Sequence, residues 1–94
     1  MQIHIRIYGR VQGVGFRAWT VHQALELNLV GFVRNRRDGS VEIVASGDVA
    51  ALNDLLERCQ KGPTFARIDK IEPMAYPDAP IPMFTDVFVS CQTV

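Results

Sequence analysis

The sequence has little of what builds a metal centre, a disulfide framework or a charged docking surface. Cysteine occurs twice, as Cys59 and Cys91, and histidine twice, as His4 and His22. Two cysteines are few for a small secreted fold stapled by disulfides, and this pair has no metal-ligand spacing. They read as small buried or half-buried thiols in a reducing compartment. An excess of charge is also lacking: ten Lys and Arg balance ten Asp and Glu, for a formal net charge of zero. Nucleic-acid binders usually carry a basic excess; here only the local cluster Arg34, Arg36 and Arg37 could form a basic patch. No apolar run approaches the roughly 20 residues that span a bilayer. The start "MQIHIRIYGR" alternates, unlike a signal peptide. A cytoplasmic protein without membrane or nucleic-acid partners is expected.

What is present suits one ordinary globule. The chain has 94 residues, 48% of them hydrophobic and 21% charged, enough for one core and one domain over 1–94. Residues 2–8 alternate, with Ile3, Ile5 and Ile7 on one face and Gln2, His4, Arg6 and Tyr8 on the other, which predicts a strand. From about Phe16 to Asn28 there is no Gly or Pro, and Ala18, Val21, Ala24 and Leu25 fall at helical spacing. Gly31 is expected to end that element. "FVRNRR", "DG" and "SVEIVAS" then predict a hairpin turning at Asp38-Gly39, with Val41, Ile43 and Ala45 facing inward. Asp48 can cap a second helix with apolar positions Val49, Leu52, Leu55, Leu56 and Cys59, stopped at Gly62-Pro63. "ARIDKIEPMAY" predicts a strand in which Ile68 and Ile71 are out of phase, so a bulge or an early end is expected. A proline-rich connector, "YPDAPIP", leads to a last strand in "TDVFVSC".

That order, βαββαβ plus a short C-terminal strand, predicts an α+β fold. Both helices must bury their stripes against one face of a mainly antiparallel sheet. Right-handed crossovers then give the ferredoxin-like two-layer α/β sandwich. Such a fold hosts many functions and does not choose among them.

The stretch "GRVQGVGFR" offers chemistry. A strand feeding a glycine-bearing loop and then a helix presents backbone N–H groups at a positive helix end. Gly13 and Gly15 can take φ > 0 and let a ligand approach the backbone. Arg17, near the first turn, opposes the helix dipole unless an anion lies between loop and guanidinium; otherwise it is a surface arginine that bends to solvent. The loop lacks the Lys-Ser or Lys-Thr of a nucleotide P-loop. Where a cysteine-dependent phosphatase would place its thiol stands Val11. His4, on the outward face of the first strand, and His22, in mid-helix, read as surface or partly packed residues. The first and second strands run parallel, so their C-terminal ends share one edge of the sheet. Asn35 would lie near that edge on the helix side, although taken alone it reads as an ordinary polar residue of a hairpin end.

"GRVQGVGFR", "GFVRNRRDGSVE" and "GPTFARIDKIE", spanning Tyr8 to Glu72 in order, resemble the acylphosphatase family. The resemblance implies the same two-layer sandwich. It implies that Arg17 binds phosphate, that Asn35 positions water, and that the loop Gln12, Gly13, Val14, Gly15 and Phe16 cradles the phosphate with its backbone. Phe32 stands where the family often has tryptophan, a departure expected to affect packing only. The implied function is hydrolysis of an acyl phosphate to carboxylate and inorganic phosphate by a monomer, with no metal and no cofactor. Two other readings stand beside it. "VQGVGFR" and "ARID" also resemble the N-terminal domain of the hydrogenase-maturation carbamoyltransferases, where carbamoyl phosphate would be the substrate. A non-catalytic module for RNA or a small metabolite is the other; against it, the first strand has one aromatic, Tyr8, and no paired platform for bases.

Overall fold

The structure is a computed structural model that describes residues 1–76 and 88–93. Its elements are β1 (Gln2–Arg10), α1 (Phe16–Glu26), β2 (Val30–Asn35), β3 (Val41–Ser46), α2 (Val49–Lys61), β4 (Arg67–Tyr76) and β5 (Phe88–Ser90). The strands form one sheet in the order β4-β1-β3-β2-β5. All neighbours are antiparallel except β2 and β5. This is the ferredoxin-like α+β arrangement that the element order predicts. The connector expected in "YPDAPIP" lies, from Pro77 on, outside the described residues. Of the expected last strand, Phe88–Ser90 is strand and Val87 is outside that description.

The alternation of β1 holds at Ile5 and Ile7, while Ile3 is only partly buried and Gln2, expected on the opposite face, is buried. Ile5 and Ile7 are fully buried, as are Val41, Ile43 and Ala45 of β3 and Val33 of β2. These residues meet Phe16 and Ala24 of α1 and Leu52, Leu55 and Cys59 of α2 in one core. Gly62, with φ 69, ends α2. Asp48 does occupy the N-cap position, but its side chain makes no capping hydrogen bond. β4 carries the expected irregularity: Tyr8 pairs with Lys70 and Gly9 with Ile68, so Asp69 is the extra residue of a bulge.

Two expectations about α1 are corrected. Its buried residues are Phe16, Thr20 and Ala24, while Leu25 is 52% exposed and Ala18 is exposed. Thr20 can sit inside because its Oγ1 donates to the Phe16 carbonyl at 2.9 Å, which satisfies the hydroxyl. Gly31 does not end the helix. Asn28 takes the left-handed turn, with φ 57, and Gly31 lies within β2. Gly31 has φ +139, and a Cβ there would stand 2.0 Å from the Val44 carbonyl oxygen. Glycine is needed at that position because two strands approach closely, not because a helix stops.

The other face of the sheet is polar and organised around Glu42. Its carboxylate accepts from Arg34 Nε and, at 3.3 Å, from Arg36, and it pairs with His4 Nε2 at 2.7 Å. Burial raises the Glu42 pKa, but the hydrogen bonds of His4 and Arg34 outweigh it and hold the carboxyl below its ordinary range. Two of the three arginines of the possible basic patch are therefore engaged within the fold. The Arg34 guanidinium also lies 5.2 Å from the centre of the Phe32 ring.

Candidate active site

Strand pairing fixes where the site can form. Val41 of β3 is flanked by Ile7 of β1 on one side and Asn35 of β2 on the other. The end of β1 and the end of β2 thus lie at one level of the sheet, with a single strand between them. β5 runs parallel to β2, and beyond it the Cys91 amide donates to the Val33 carbonyl at 2.8 Å. The chain after Ser90 is therefore carried toward the same edge.

The loop from Val11 to Gly15 starts at that edge. It is anchored at both ends by buried side chains, Val11 at 1% and Phe16 at 2% exposure. Between the anchors the backbone turns left-handed twice, with φ 74 at Gly13 and φ 80 at Gly15. A Cβ on either glycine would meet nothing within 4 Å. Backbone conformation, and not crowding, is what calls for glycine at these two positions. Gly15 is the N-cap of α1 and has no side chain to cap with, and the first turn contains no acidic residue. The first amides of α1 are therefore left for another acceptor.

A pocket of about 430 Å³ opens here. Gly13, Gly15, Phe16, Arg17 and Asn35 line it, with Ser90, Cys91 and Gln92 along the other wall. No Asp or Glu among the described residues lines it, so its one formal charge is the Arg17 guanidinium. Among the described residues Arg17 pairs with no carboxylate; its Nη1 donates to the Cys91 carbonyl at 3.0 Å. That single bond orients the guanidinium and leaves its remaining N–H groups for a ligand. Asn35 is half-buried, and its Oδ1 is buried without a hydrogen-bond donor among the described residues. A buried acceptor in that state is costly unless something else satisfies it. Together these groups suit a small anion with a water beside it.

The remaining candidates fall as follows. Gln12 and Val14 do not line the pocket; the Gln12 side chain turns to the β2–β3 turn, and Val14 packs partly against the core. His4 lies on the polar face with Glu42, and the His22 side chain is 72% exposed at 3.7 Å from Glu26. Neither histidine lines the pocket. Cys59 and Cys91 are both free thiols, Cys59 within the core, where burial pushes its pKa up to about 12. Sequence reasoning missed the wall formed by Ser90, Cys91 and Gln92. The Cys91 contribution is a backbone carbonyl, and carbonyls leave no mark in residue identity.

The glycines give a first test. Gly13→Val forces a β-branched residue to φ 74, a conformation costing about 1–3 kcal/mol, so the loop is expected to move. With open space around the new Cβ, the fold should persist. Turnover and phosphate affinity are expected to fall by at least about tenfold, a factor equal to 1.4 kcal/mol. Native values of both in Gly13→Val would show that the loop does not need its left-handed geometry.

Known proteins match this chain closely. A sequence model of the acylphosphatase family matches residues 3–85. An acylphosphatase of Nitrobacter winogradskyi is 53% identical over 68 residues, covering 72% of this chain and 69% of the relative. The crystal structure of acylphosphatase from Bacillus subtilis superposes with a TM-score of 0.89 at 34% identity, covering 96% of this chain and 97% of that one. The crystal structure of HypF from T. kodakarensis gives a TM-score of 0.78 at 35% identity, covering 97% of this chain but 12% of that one. On its loop geometry, its sheet order and these matches, the chain belongs to the acylphosphatase family.

Proposed function

We propose that this pocket hydrolyses the carboxyl–phosphate anhydride of an acyl phosphate, releasing a carboxylate and inorganic phosphate. The observation that carries the reading is the juxtaposition around one pocket of Arg17, the two left-handed glycines and the Oδ1 of Asn35, which is buried without a donor among the described residues. The phosphoryl oxygens lie against the loop amides and the Arg17 guanidinium. Asn35 Oδ1 accepts a hydrogen bond from a water and holds its lone pair toward phosphorus. Water adds to phosphorus as the P–O bond to the acyl group breaks. The bonding pair leaves with the carboxylate, and the proton passes to a phosphoryl oxygen. A carboxylate is a stable leaving group, so the pocket needs no strong general acid. What it must supply is orientation and charge stabilisation, which fixed donors in a sheltered site provide.

Benzoyl phosphate is the direct probe. The protein is expected to release benzoate and phosphate in equal amounts well above the spontaneous rate. No release above background would leave a binding module and overturn the reading. The resemblance of "VQGVGFR" and "ARID" to the hydrogenase-maturation carbamoyltransferases favours one further substrate, carbamoyl phosphate, which presents the same phosphoryl group to the pocket. A side-by-side assay of the two substrates ranks them by kcat/KM. A cytoplasmic monomer is part of the same proposal. Two free cysteines suit a reducing compartment, and among the described residues no helix is long and apolar enough to cross a membrane.

A further inference from the structure

The site is assembled from two pieces of chain that the sheet does not join directly. The loop and Arg17 follow β1; Asn35 closes β2; β3 lies between. Alignment of a water with a phosphate requires the two pieces to keep a fixed separation. One side chain spans the gap. Gln12 Nε2 donates one hydrogen to the Arg36 carbonyl at 2.7 Å and the other to the Ser40 carbonyl at 2.8 Å.

Both carbonyls already serve the hairpin. Arg36 accepts from the Gly39 amide at 3.1 Å, and Ser40 accepts from the Arg36 amide at 2.8 Å. Gln12 therefore takes the second lone pair of each. The turn itself is stiffened independently, because Asp38 Oδ1 accepts from the Ser40 amide at 2.9 Å and from the Ser40 hydroxyl at 2.6 Å. Arg36 follows Asn35 in the chain, and Gln12 precedes Gly13. Both ends of this bridge are thus one peptide bond from a residue that lines the pocket.

We propose that the Gln12 side chain is a positioning residue, a strut that sets the separation between the phosphate-binding loop and Asn35. The inference rests on the hydrolytic reading of the pocket and adds a role that backbone contacts to phosphate do not supply. It assigns Gln12 to the alignment of water and not to the capture of phosphate, since the loop amides and Arg17 travel together on one segment. A primary amide suits the task because it gives two donors in a fixed plane. A misplacement on the order of 1 Å can cost about a hundredfold in rate.

The test is a double-mutant cycle on benzoyl phosphate, with phosphate affinity and thermal midpoint measured for each variant. Gln12→Met keeps the length and removes both donors. It is expected to lower kcat by about ten- to a hundredfold and to change phosphate affinity by less than about threefold. In the Asn35→Ala background the same substitution should cost less than about twofold, because no positioned water remains to be misaligned. Gln12→Lys, whose ammonium can still donate to both carbonyls, should lose less turnover than Gln12→Met. A kcat loss of equal size in both backgrounds would overturn the strut, and so would native turnover in Gln12→Met. If Gln12→Met does not fold at the assay temperature, Gln12→Glu serves in the cycle, since it keeps the shape and lacks the donor when ionised. Failure of the parent reading looks different: the native protein itself would not hydrolyse benzoyl phosphate.

Discussion

Asn35→Ala is expected to lower single-turnover hydrolysis of benzoyl phosphate by about 10² to 10³ while phosphate binding stays near native. The neutral amide adds little Coulombic attraction to a phosphate dianion, so binding should not depend on it. Its proposed task is one orienting hydrogen bond, worth roughly 3–4 kcal/mol in the transition state, which converts to that loss of rate. The fold should hold, because Asn35 ends β2 and is absent from the core cluster. Removing a buried acceptor that has no donor among the described residues should relieve a small desolvation cost. Near-native hydrolysis by Asn35→Ala would show that the residue does not position the water.

Arg17→Ala should behave differently, losing binding and turnover together. It removes the one formal charge that the described residues bring to the pocket, so the rise in thermal midpoint expected of the native protein with inorganic phosphate should be absent. Turnover should fall by at least about 10², the loss typical of one removed charge-stabilising donor. Two terms oppose each other in the unliganded variant. Taking a cation from the start of α1 relieves roughly 0.3–1 kcal/mol of helix-dipole conflict. Losing the hydrogen bond to the Cys91 carbonyl costs about 1 kcal/mol. The midpoint without phosphate should therefore move little. Equal phosphate-induced shifts in the native protein and Arg17→Ala would remove Arg17 from the site.

Much of the fold was legible because its signals are periodic. Ile5 and Ile7 in β1, and Leu52, Leu55 and Cys59 in α2, lie in the core where alternation and helical spacing place them. The weak points were residues whose roles depend on a contact that hydrophobic periodicity does not mark. Thr20 looked polar, yet it is buried with its hydroxyl bonded to the carbonyl one turn earlier. Gly31 looked like a helix stop because glycine favours that position. Its actual reason is the Val44 carbonyl across the strand pair, which no local pattern reveals.

The site divides in the same way. Gly13, Gly15 and Arg17 could be read from chemistry, since a cation at a helix start beside two glycines is a local conflict with a local resolution. Asn35 could be placed at the right edge of the sheet by strand direction, but only its family resemblance gave it a task. Its Oδ1, buried without a donor among the described residues, is the observation on which the proposal of that task rests. The Gln12 bridge and the Cys91 carbonyl were out of reach. Both act through backbone carbonyls that β-pairing carries to the site, and their partners are separated by 24 to 74 positions in sequence.

The most direct measurement is an experimental structure at saturating inorganic phosphate. A phosphate is expected between the amides of residues 13–16 and the Arg17 guanidinium, with the Cys91 carbonyl still holding Arg17 and a water bridging Asn35 Oδ1 to the phosphate. A phosphate bound elsewhere, or one in this pocket that touches neither Arg17 nor the loop amides, would contradict it.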